Sequence, residues 1–428
     1  MAPTAKHEDF SSPQPSFQVA PPPDTWDGTL PDTDTFYADP HNWARAIVGR
    51  ERVFEASAIP WMLRFETVEG LVKDPRLRQV GLEVLHFRGI TEGPVVDWFG
   101  QIVLTANGPD HTRLRAPLQR TFSFPMAARM RPRVQELVGS LVDTVAERAS
   151  GGESVAFDEV FADQLPIRVI CEFLGVPPSD IPVFKRWTEN LGLLFGLNRE
   201  GQELADIHEA AAGLMRYAAD LIKDRRKRPR DDFVSQFVAA TDASGTFSPA
   251  ELEAQLGGLI FAGHDTTRTA LACALFSLVQ HPDEWSKLHS DPDLAGNAVN
   301  ETLRFEPAIG GMPRIANETL EVEGVEIPEG SLVYLSFTAA QRDPARYAAP
   351  NRLDISRQDI GRSLIVFGSG AHRCLGEALA RIELEESLKA LGQRFSRIEA
   401  SGHLPHFDPI ATGIRRLSGP LHLRLQSV

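Results

Sequence analysis

Cysteine is scarce in this chain, three in 428 residues. Three cannot build a disulfide framework, so the fold must rest on an apolar core. Two of them, Cys171 and Cys273, sit in Val169-Ile170-Cys171 and Leu271-Ala272-Cys273-Ala274-Leu275 and read as small core residues. Positive charge is also in deficit. Lys and Arg number 44 against 58 Asp and Glu, a formal net charge of −14 with an isoelectric point near 5.4. That argues against nucleic acid as a partner, because phosphate binding needs a basic surface. Long hydrophobic runs are missing as well. None reaches the ~20 residues that cross a bilayer, and no signal-like segment is visible. The expected setting is reducing and cytoplasmic, with no membrane anchor.

The apolar fraction, 42%, is ordinary for a globular protein and ample for a large core. Residues 1–31 are rich in Pro, Ser, Asp and Thr, with Pro21-Pro22-Pro23, and are expected to form an extended or disordered tail. Helical periodicity dominates the remainder, with short alternating segments between.

The third cysteine has a different setting. Phe367-Gly368-Ser369-Gly370-Ala371-His372-Arg373-Cys374-Leu375-Gly376 places it in a glycine-rich loop just ahead of a helical run from Glu377 to Leu391. Glycines permit torsions and close approaches that a Cβ blocks. Such a loop aims backbone N–H groups at the sulfur, and the helix start adds partial positive charge. Both favour the thiolate, the metal-binding form. A buried, inert cysteine beside a turn is the plainer alternative for an isolated residue.

The frame Phe-x-x-Gly-x-His-x-Cys-x-Gly, continued as Glu377-Ala378-Leu379-Ala380-Arg381-Ile382-Glu383, resembles the haem-binding loop of the cytochrome P-450 family in its soluble bacterial form. The resemblance implies a mainly α fold with a smaller β-sheet region. Heme b (iron protoporphyrin IX) would lie between the long central helix and the cysteine loop. It makes residues 32–428 a single domain, expected to be a monomer. Cys374 would be the iron ligand, Phe367 would pack beside the thiolate, and Gly376 would lie against the cofactor.

Further motifs follow in the family's order. Asn107-Gly108-Pro109-Asp110-His111-Thr112-Arg113-Leu114-Arg115 predicts a helix capped at Asp110. His111 and Arg115 are four apart and share a face, which suits a carboxylate partner. By resemblance His111, Arg115, Arg314 and His372 would hold the haem propionates. A long helix is predicted from Pro249 to Gln280, centred on Ala262-Gly263-His264-Asp265-Thr266-Thr267. Glycine weakens a helix interior, and threonine bonds back to the carbonyl four residues earlier. The run therefore invites a local bulge, beside which water can be held for proton delivery. By resemblance Thr266 would hydrogen-bond dioxygen and its water, and Asp265 would relay protons. His264 departs from the apolar residue common there; it is expected to point away from the haem, with substrate contact as the alternative.

Glu301-Thr302-Leu303-Arg304 sets Glu301 and Arg304 three apart on a helix, an ion pair that the resemblance buries with Arg357 as third member. All three read as structural. Gly310-Gly311 permits close backbone approach to a ligand. Gln341, in Gln341-Arg342-Asp343-Pro344, departs from the family's asparagine. Residues 81–100 carry much apolar surface for a loop, so either something covers them or they line a pocket; by resemblance they form one wall of the substrate site. Val95, Val96, Leu194, Gly258, Ala262, Ile309 and Ile414 are candidates to line it. Residues 182–222 read as two helices with a turn at 196–201; by resemblance this pair forms a lid, from which Leu191, Leu193 and Phe195 join the candidates. The run Arg225 to Arg230 reads as a solvated helix end.

The implied reaction inserts one dioxygen atom into a hydrophobic small molecule, by hydroxylation or epoxidation. No flavin, nicotinamide or iron–sulfur domain is recognisable, so a ferredoxin with its reductase is implied as electron donor. Arg113, Arg362 and Arg373 are candidate contacts for it. A haem peroxygenase using hydrogen peroxide, a non-catalytic haem sensor and an α-rich interaction protein are the alternatives. The intact Asp265-Thr266 pair argues against the first two.

Overall fold

The computed structural model describes residues 39–56, 59–195, 202–360, 364–407 and 413–428. The 1–31 tail, the 196–201 turn, the Phe195 side chain, Arg362, Ala411 and Thr412 lie outside them. The described residues are mainly helical with three smaller sheets. Seven helices position the site: α1 (Gly108–Thr121), α2 (Leu165–Leu174), α3 (Ile181–Gly192), α4 (Gln202–Lys227), α5 (Pro249–Val279), α6 (Ala295–Phe305) and α7 (Glu377–Arg394).

Their ends follow sequence chemistry. At the head of α5 the Ser248 hydroxyl accepts from the Glu251 N–H, and the Glu251 carboxylate accepts from the Ser248 N–H at 2.8 Å. This reciprocal cap, with Pro249 in the first turn, satisfies donors that a bare helix end leaves open. α2 stops at Gly175, whose φ of 75° is a left-handed conformation that glycine adopts without strain. α1 begins two residues before the predicted Asp110 cap. Asn107 stands at its N-cap without capping it, because its amide is engaged with Gln79. The helical stretch 157–174 is split. A π-helical turn, Asp158–Ala162, precedes α2 and lets Asp158 accept from the Leu421 N–H.

The largest sheet has the order β1-β2-β8-β5-β3: β1 is Val53–Ala56, β2 Ile59–Met62, β3 Leu77–Gln79, β5 Gly311–Ala316 and β8 Leu332–Ser336. Only the β2–β8 pairing is parallel. β4 (Val155–Ala156), β9 (Phe395–Ala400) and β10 (His422–Ser427) form a second sheet, and β6 (Leu320–Val322) and β7 (Val325–Ile327) a hairpin. One apolar core runs through the helices around α5, and two smaller clusters lie under the large sheet. Each large apolar side chain fully buried there is worth about 1.5–3 kcal/mol. The sheet thus holds Arg314 and the 309–314 segment against the helical body that carries Cys374.

Three local expectations are corrected. Arg225 is buried rather than solvated: it donates to Asp232 at 2.6 Å and to the Gly175 carbonyl at 2.6 Å. Gly310 and Gly311 admit the protein's own atoms, since an added Cβ would overlap the His41 ring and the Leu335 carbonyl respectively. Helix α5 runs unbroken through 31 residues, without the expected bulge. Gly263 serves packing instead: a Cβ there would stand 2.9 Å from Ile170 of α2.

Candidate active site

Cys374 sits on the loop between the Gly370–His372 turn and α7. Its N–H donates to the Phe367 carbonyl at 2.7 Å, and the Phe367 ring lies under the Arg381 guanidinium at 4.9 Å. Gly368 and Gly370 have φ of 70° and 65°, so the loop needs glycine at both. Gly376 is different. Its φ is −86°, and an added Cβ would meet nothing within the chain. The Cys374 side chain is exposed although it lies deep among protein atoms, so it faces an internal space. Burial pushes the thiol up; N–H groups of Gly376 and Glu377, and the charge of Arg115, oppose it. Burial therefore outweighs the loop dipoles that the sequence predicted would favour the thiolate.

Beside the sulfur four cation-capable side chains converge. The rings of His111 and His372 have centroids 3.9 Å apart. Arg115 donates to the Arg373 carbonyl at 2.5 Å. Among the described residues Arg314, on β5, donates only to Pro313 O and the Met312 sulfur. Among the described residues no carboxylate pairs with any of the four. Burial, then the neighbouring His111, Arg314 and Arg115, pushes His372 down to about 3, and burial alone pushes Arg314 down to about 10. Buried, unopposed cations are costly, and His111 Nε2 and Arg115 Nε have no partner among the described residues. A group carrying two carboxylates would satisfy them by charge-assisted hydrogen bonds. An accessible thiol, an uncrowded face over Gly376 and an orphaned cationic cluster together fit haem, with iron on sulfur and propionates on the cations.

Helix α5 carries an open face of its own. It is buried over most of its length, yet Ala262 is exposed and Thr266, one turn on, is partly so. Two residues four apart form one open stripe on a buried helix. The Thr266 hydroxyl donates to the Ala262 carbonyl at 3.0 Å, as the sequence predicted. Asp265 faces elsewhere. Its carboxylate meets Arg268 at 3.0 Å and Arg416 at 2.5 Å. Burial pushes this carboxyl up, but the two guanidiniums outweigh it and hold it below the usual range. His264 is buried and bonds through Nδ1 to the Thr188 hydroxyl of α3 at 2.8 Å, pointing into the helix packing. Burial pushes it down to about 4.

The pocket candidates fall into two groups. Ile309 and Ile414 are brought together as an isolated antiparallel bridge, joining the segment before β5 to the C-terminal segment. Gly258 lies on α5 against Ile102, 3.2 Å from where its Cβ would stand. Val96 is half-buried, whereas Val95, Leu191 and Leu194 belong to the core of tightly buried residues. The Arg88 guanidinium donates to the Leu194 carbonyl, fastening the 81–100 region to the end of α3. That region holds two short helices, Glu83–His86 and Pro94–Phe99.

Glu301 and Arg304 make the expected buried pair, with Nε–Oε2 2.7 Å and Nη2–Oε1 2.9 Å, and Arg357 reaches Glu301 at 3.3 Å. Gln341 is structural. Its side-chain amide donates to Leu303 O while its backbone carbonyl accepts from Arg304. Arg113 binds Glu251 at 2.6 Å and ties α1 to the head of α5, and Arg373 binds Glu377 at 2.7 Å. Sequence reasoning missed Glu306, which gathers Arg45 and Arg415 at 2.5 Å each, and it missed Arg416 on Asp265. No spacing signal finds partners so far apart.

Comparison with known proteins agrees with this geometry. The cytochrome P450 family model matches residues 192–413. The plant-inducible cytochrome P450-pinF1 of Rhizobium radiobacter is 36% identical over 83% of this chain and 83% of its own. The mycinamicin IV hydroxylase/epoxidase of Micromonospora griseorubida is 38% identical over 75% of this chain and 78% of its own. The crystal structure of CalO2 superposes with a TM-score of 0.83 at 25% identity, over 92% of this chain and 98% of that one. Sequence and fold agree with the cysteine loop, the orphaned cationic cluster and the open stripe of α5, and the chain belongs to the cytochrome P450 family as a haem-dependent monooxygenase, an oxidoreductase.

Proposed function

We propose that the protein is a haem-thiolate monooxygenase. It inserts one atom of dioxygen into a hydrophobic small molecule, by hydroxylation or epoxidation, and releases the other as water. Two electrons and two protons complete the balance, the electrons coming from a ferredoxin-type donor. The cofactor is heme b, which supplies the oxygen-activating chemistry when bound. The observation that carries this reading is the accessible sulfur of Cys374 beside four cation-capable side chains that no carboxylate answers among the described residues, together with the open Ala262–Thr266 stripe of α5.

The chain's own residues divide the work. Cys374 supplies the sulfur ligand, and the N–H groups of Gly376 and Glu377 donate to that sulfur and temper its electron release. His111, Arg115, Arg314 and His372 hold the propionates. Thr266 presents a hydroxyl to the open side of α5, and Asp265 one residue earlier holds a carboxylate that accepts and passes protons. Gly258, Ala262, Val96, Ile309 and Ile414 offer mostly apolar surface, which selects a hydrophobic substrate and excludes water. A relative named for both hydroxylation and epoxidation supports leaving both outcomes open for this chain.

The deciding measurement is the carbonyl spectrum of the reduced, haem-loaded protein. Thiolate ligation gives a strongly red-shifted band, and Cys374→Ala is expected to abolish it. A band unchanged by Cys374→Ala would refute ligation by this sulfur. Turnover sustained by hydrogen peroxide alone, with no response to a reduced ferredoxin, would replace the monooxygenase reading with a peroxygenase.

A further inference from the structure

A groove of about 820 Å³ is walled by the helix Arg131–Ala149, by α2 and by the 177–182 segment that leads into α3. Its volume lies within the ~300–1,000 Å³ of small-molecule sites. From α2 and its two ends come Gln164, Arg168, Cys171, Glu172 and Gly175, which recur three and four apart and so share one face. Ile170, which meets Gly263 of α5, lies on another face, and no lining residue belongs to the Cys374 site or to the open stripe of α5. Leu137, Val176, Pro178 and Ile181 give the groove an apolar floor. Charge is uneven over that floor, with three arginines lining it against one acid. The acid, Glu172, is taken by Arg133, whose Nε donates to its two oxygens at 2.7 and 2.8 Å. Arg168 is half-buried, and among the described residues its guanidinium has only Gln164 Oε1, at 3.4 Å. Arg230 reaches Asp224 at 3.4 Å, a carboxylate that Arg225 and Arg228 already hold at 2.8 and 2.5 Å. The helix ends agree in sign. Asp180 stands at the N-cap of α3 without capping it, because the hydroxyls of Tyr217 and Ser179 donate to its carboxylate at 2.6 and 2.9 Å. The positive end of α3 is thus uncapped beside Ile181 and Pro182. The negative end of α2 is closed, since the N–H groups of Gly175 and Val176 return to Glu172 O and Cys171 O.

We propose that this groove is a second ligand site, separate from the cysteine site, for an amphipathic carboxylate: an apolar small molecule that ends in one acid group. Arg168 holds the acid and Arg230 adds charge, while the apolar body lies along Leu137, Val176, Pro178 and Ile181. The charge pattern selects this occupant. A half-buried guanidinium with no acid of its own costs free energy that an incoming carboxylate recovers, and its planar fork matches the two carboxylate oxygens. A phosphate dianion needs more donors than one open guanidinium and one shared one. An apolar molecule without an acid covers the floor and leaves Arg168 desolvated and unanswered, and a cation meets like charge. Because Pro178 and Ile181 precede and open α3, a bound ligand also ties the start of that helix to α2.

The test is calorimetric titration of the haem-loaded full chain with dodecanoate below its micelle concentration, after the cysteine site has been saturated with an iron-binding azole. One equivalent of dodecanoate is expected to bind with the azole spectrum unchanged. Dodecanol is expected to bind at least tenfold more weakly, and dodecyltrimethylammonium not at all. Arg168→Gln should weaken dodecanoate at least tenfold and bring it level with dodecanol, while Arg168→Lys recovers part of the difference. Leu137→Glu, on the opposite wall, sets a like charge over the floor and should abolish uptake. Denaturation midpoints and the azole spectrum show that each variant is folded, and the comparison of dodecanoate with dodecanol needs no variant. No uptake by the azole-saturated protein overturns the site. Equal affinity for the acid and the alcohol, or uptake unchanged in both Arg168→Gln and Leu137→Glu, reduces the groove to a greasy surface and overturns it as well. A dimer in sedimentation that Leu137→Glu dissolves, with no dodecanoate uptake, would give the groove to a second copy of the chain instead.

Discussion

The imidazoles of His111 and His372 lie ring against ring, 3.9 Å between centroids, one from α1 and the other from the cysteine loop. Two bases in contact, with Arg115 and Arg314 close by and no acid among the described residues, form an arrangement that the polypeptide alone does not favour. Burial and mutual repulsion lower His372 to about 3, so the ring is neutral in the absence of a ligand. The cluster has the character of a receptor for negative charge.

Arg314 is the sharpest test of that receptor, because among the described residues its guanidinium donates only to a neighbouring carbonyl and a thioether. Arg314→Leu is expected to speed haem loss. Hydrogen bonds to charged groups contribute about 1.5–3 kcal/mol, which corresponds to roughly a tenfold to hundredfold weaker hold. The measurement is the rate of haem transfer to an excess of an acceptor protein. A rate equal to that of the unsubstituted chain would place the propionates elsewhere.

His264 makes the stability of the fold sensitive to acid. Its folded value, about 4, lies below its ordinary 6.5, and burial is the main cause, followed by the Arg268 charge. Above pH 6.5 the ring is neutral in both folded and unfolded chains and contributes nothing to the slope. Between 6.5 and 4 the unfolded chain takes up a proton that the folded one refuses, so stability falls as pH falls. At about 1.4 kcal/mol per pH unit, the loss by pH 5 is about 2 kcal/mol. Urea denaturation of His264→Phe across this range is expected to show a shallower decline. An identical slope would mean that the ring titrates freely.

Glu301 and Arg304 are fully buried, and the carboxylate also accepts from the Asp354 N–H at 2.8 Å. Removing one partner strands the other charge, a loss of about 3–5 kcal/mol for a buried pair. Glu301→Gln is therefore expected to lower the denaturation midpoint strongly while leaving the carbonyl band of the surviving folded fraction in place. A loss of the band with unchanged stability would reassign Glu301 from scaffold to site.

These three sites differ in how far the sequence revealed them. Glu301 and Arg304 are three residues apart on one helix, and local periodicity is enough to see the pair. The Ser248–Glu251 cap and the Thr266–Ala262 bond were legible for the same reason: their partners lie within one turn. The cysteine loop was legible because glycine punctuation and a following helix leave a dense local trace. Asp265 and Arg416 are 151 residues apart, and Glu306 and Arg415 are 109 apart. Only the folded chain brings such charges together, so no window on the sequence contains them. The bulge expected in α5 failed for a related reason. Helix propensity at Gly263 is a local quantity, but the close contact with Ile170 that the missing Cβ permits is a tertiary one, and it wins.

Thr266 separates the binding function of the open stripe from its proton chemistry. Its hydroxyl now donates to Ala262 O at 3.0 Å, a bond that helix α5 does not need, since its backbone ladder is unbroken. Thr266→Ala should therefore preserve the helix, the haem and substrate binding, the last read as the spectral change on substrate addition. What disappears is the hydroxyl that this stripe carries. Positioned proton donors contribute about 100- to 10,000-fold to the steps they serve. Losing one should starve product formation while electrons continue to arrive, so that dioxygen leaves as peroxide. Product and peroxide counted against electrons consumed give the answer directly. If the variant still couples every electron pair to product, Thr266 is a packing residue, and the protons reach the site by a route that does not pass along this face of α5.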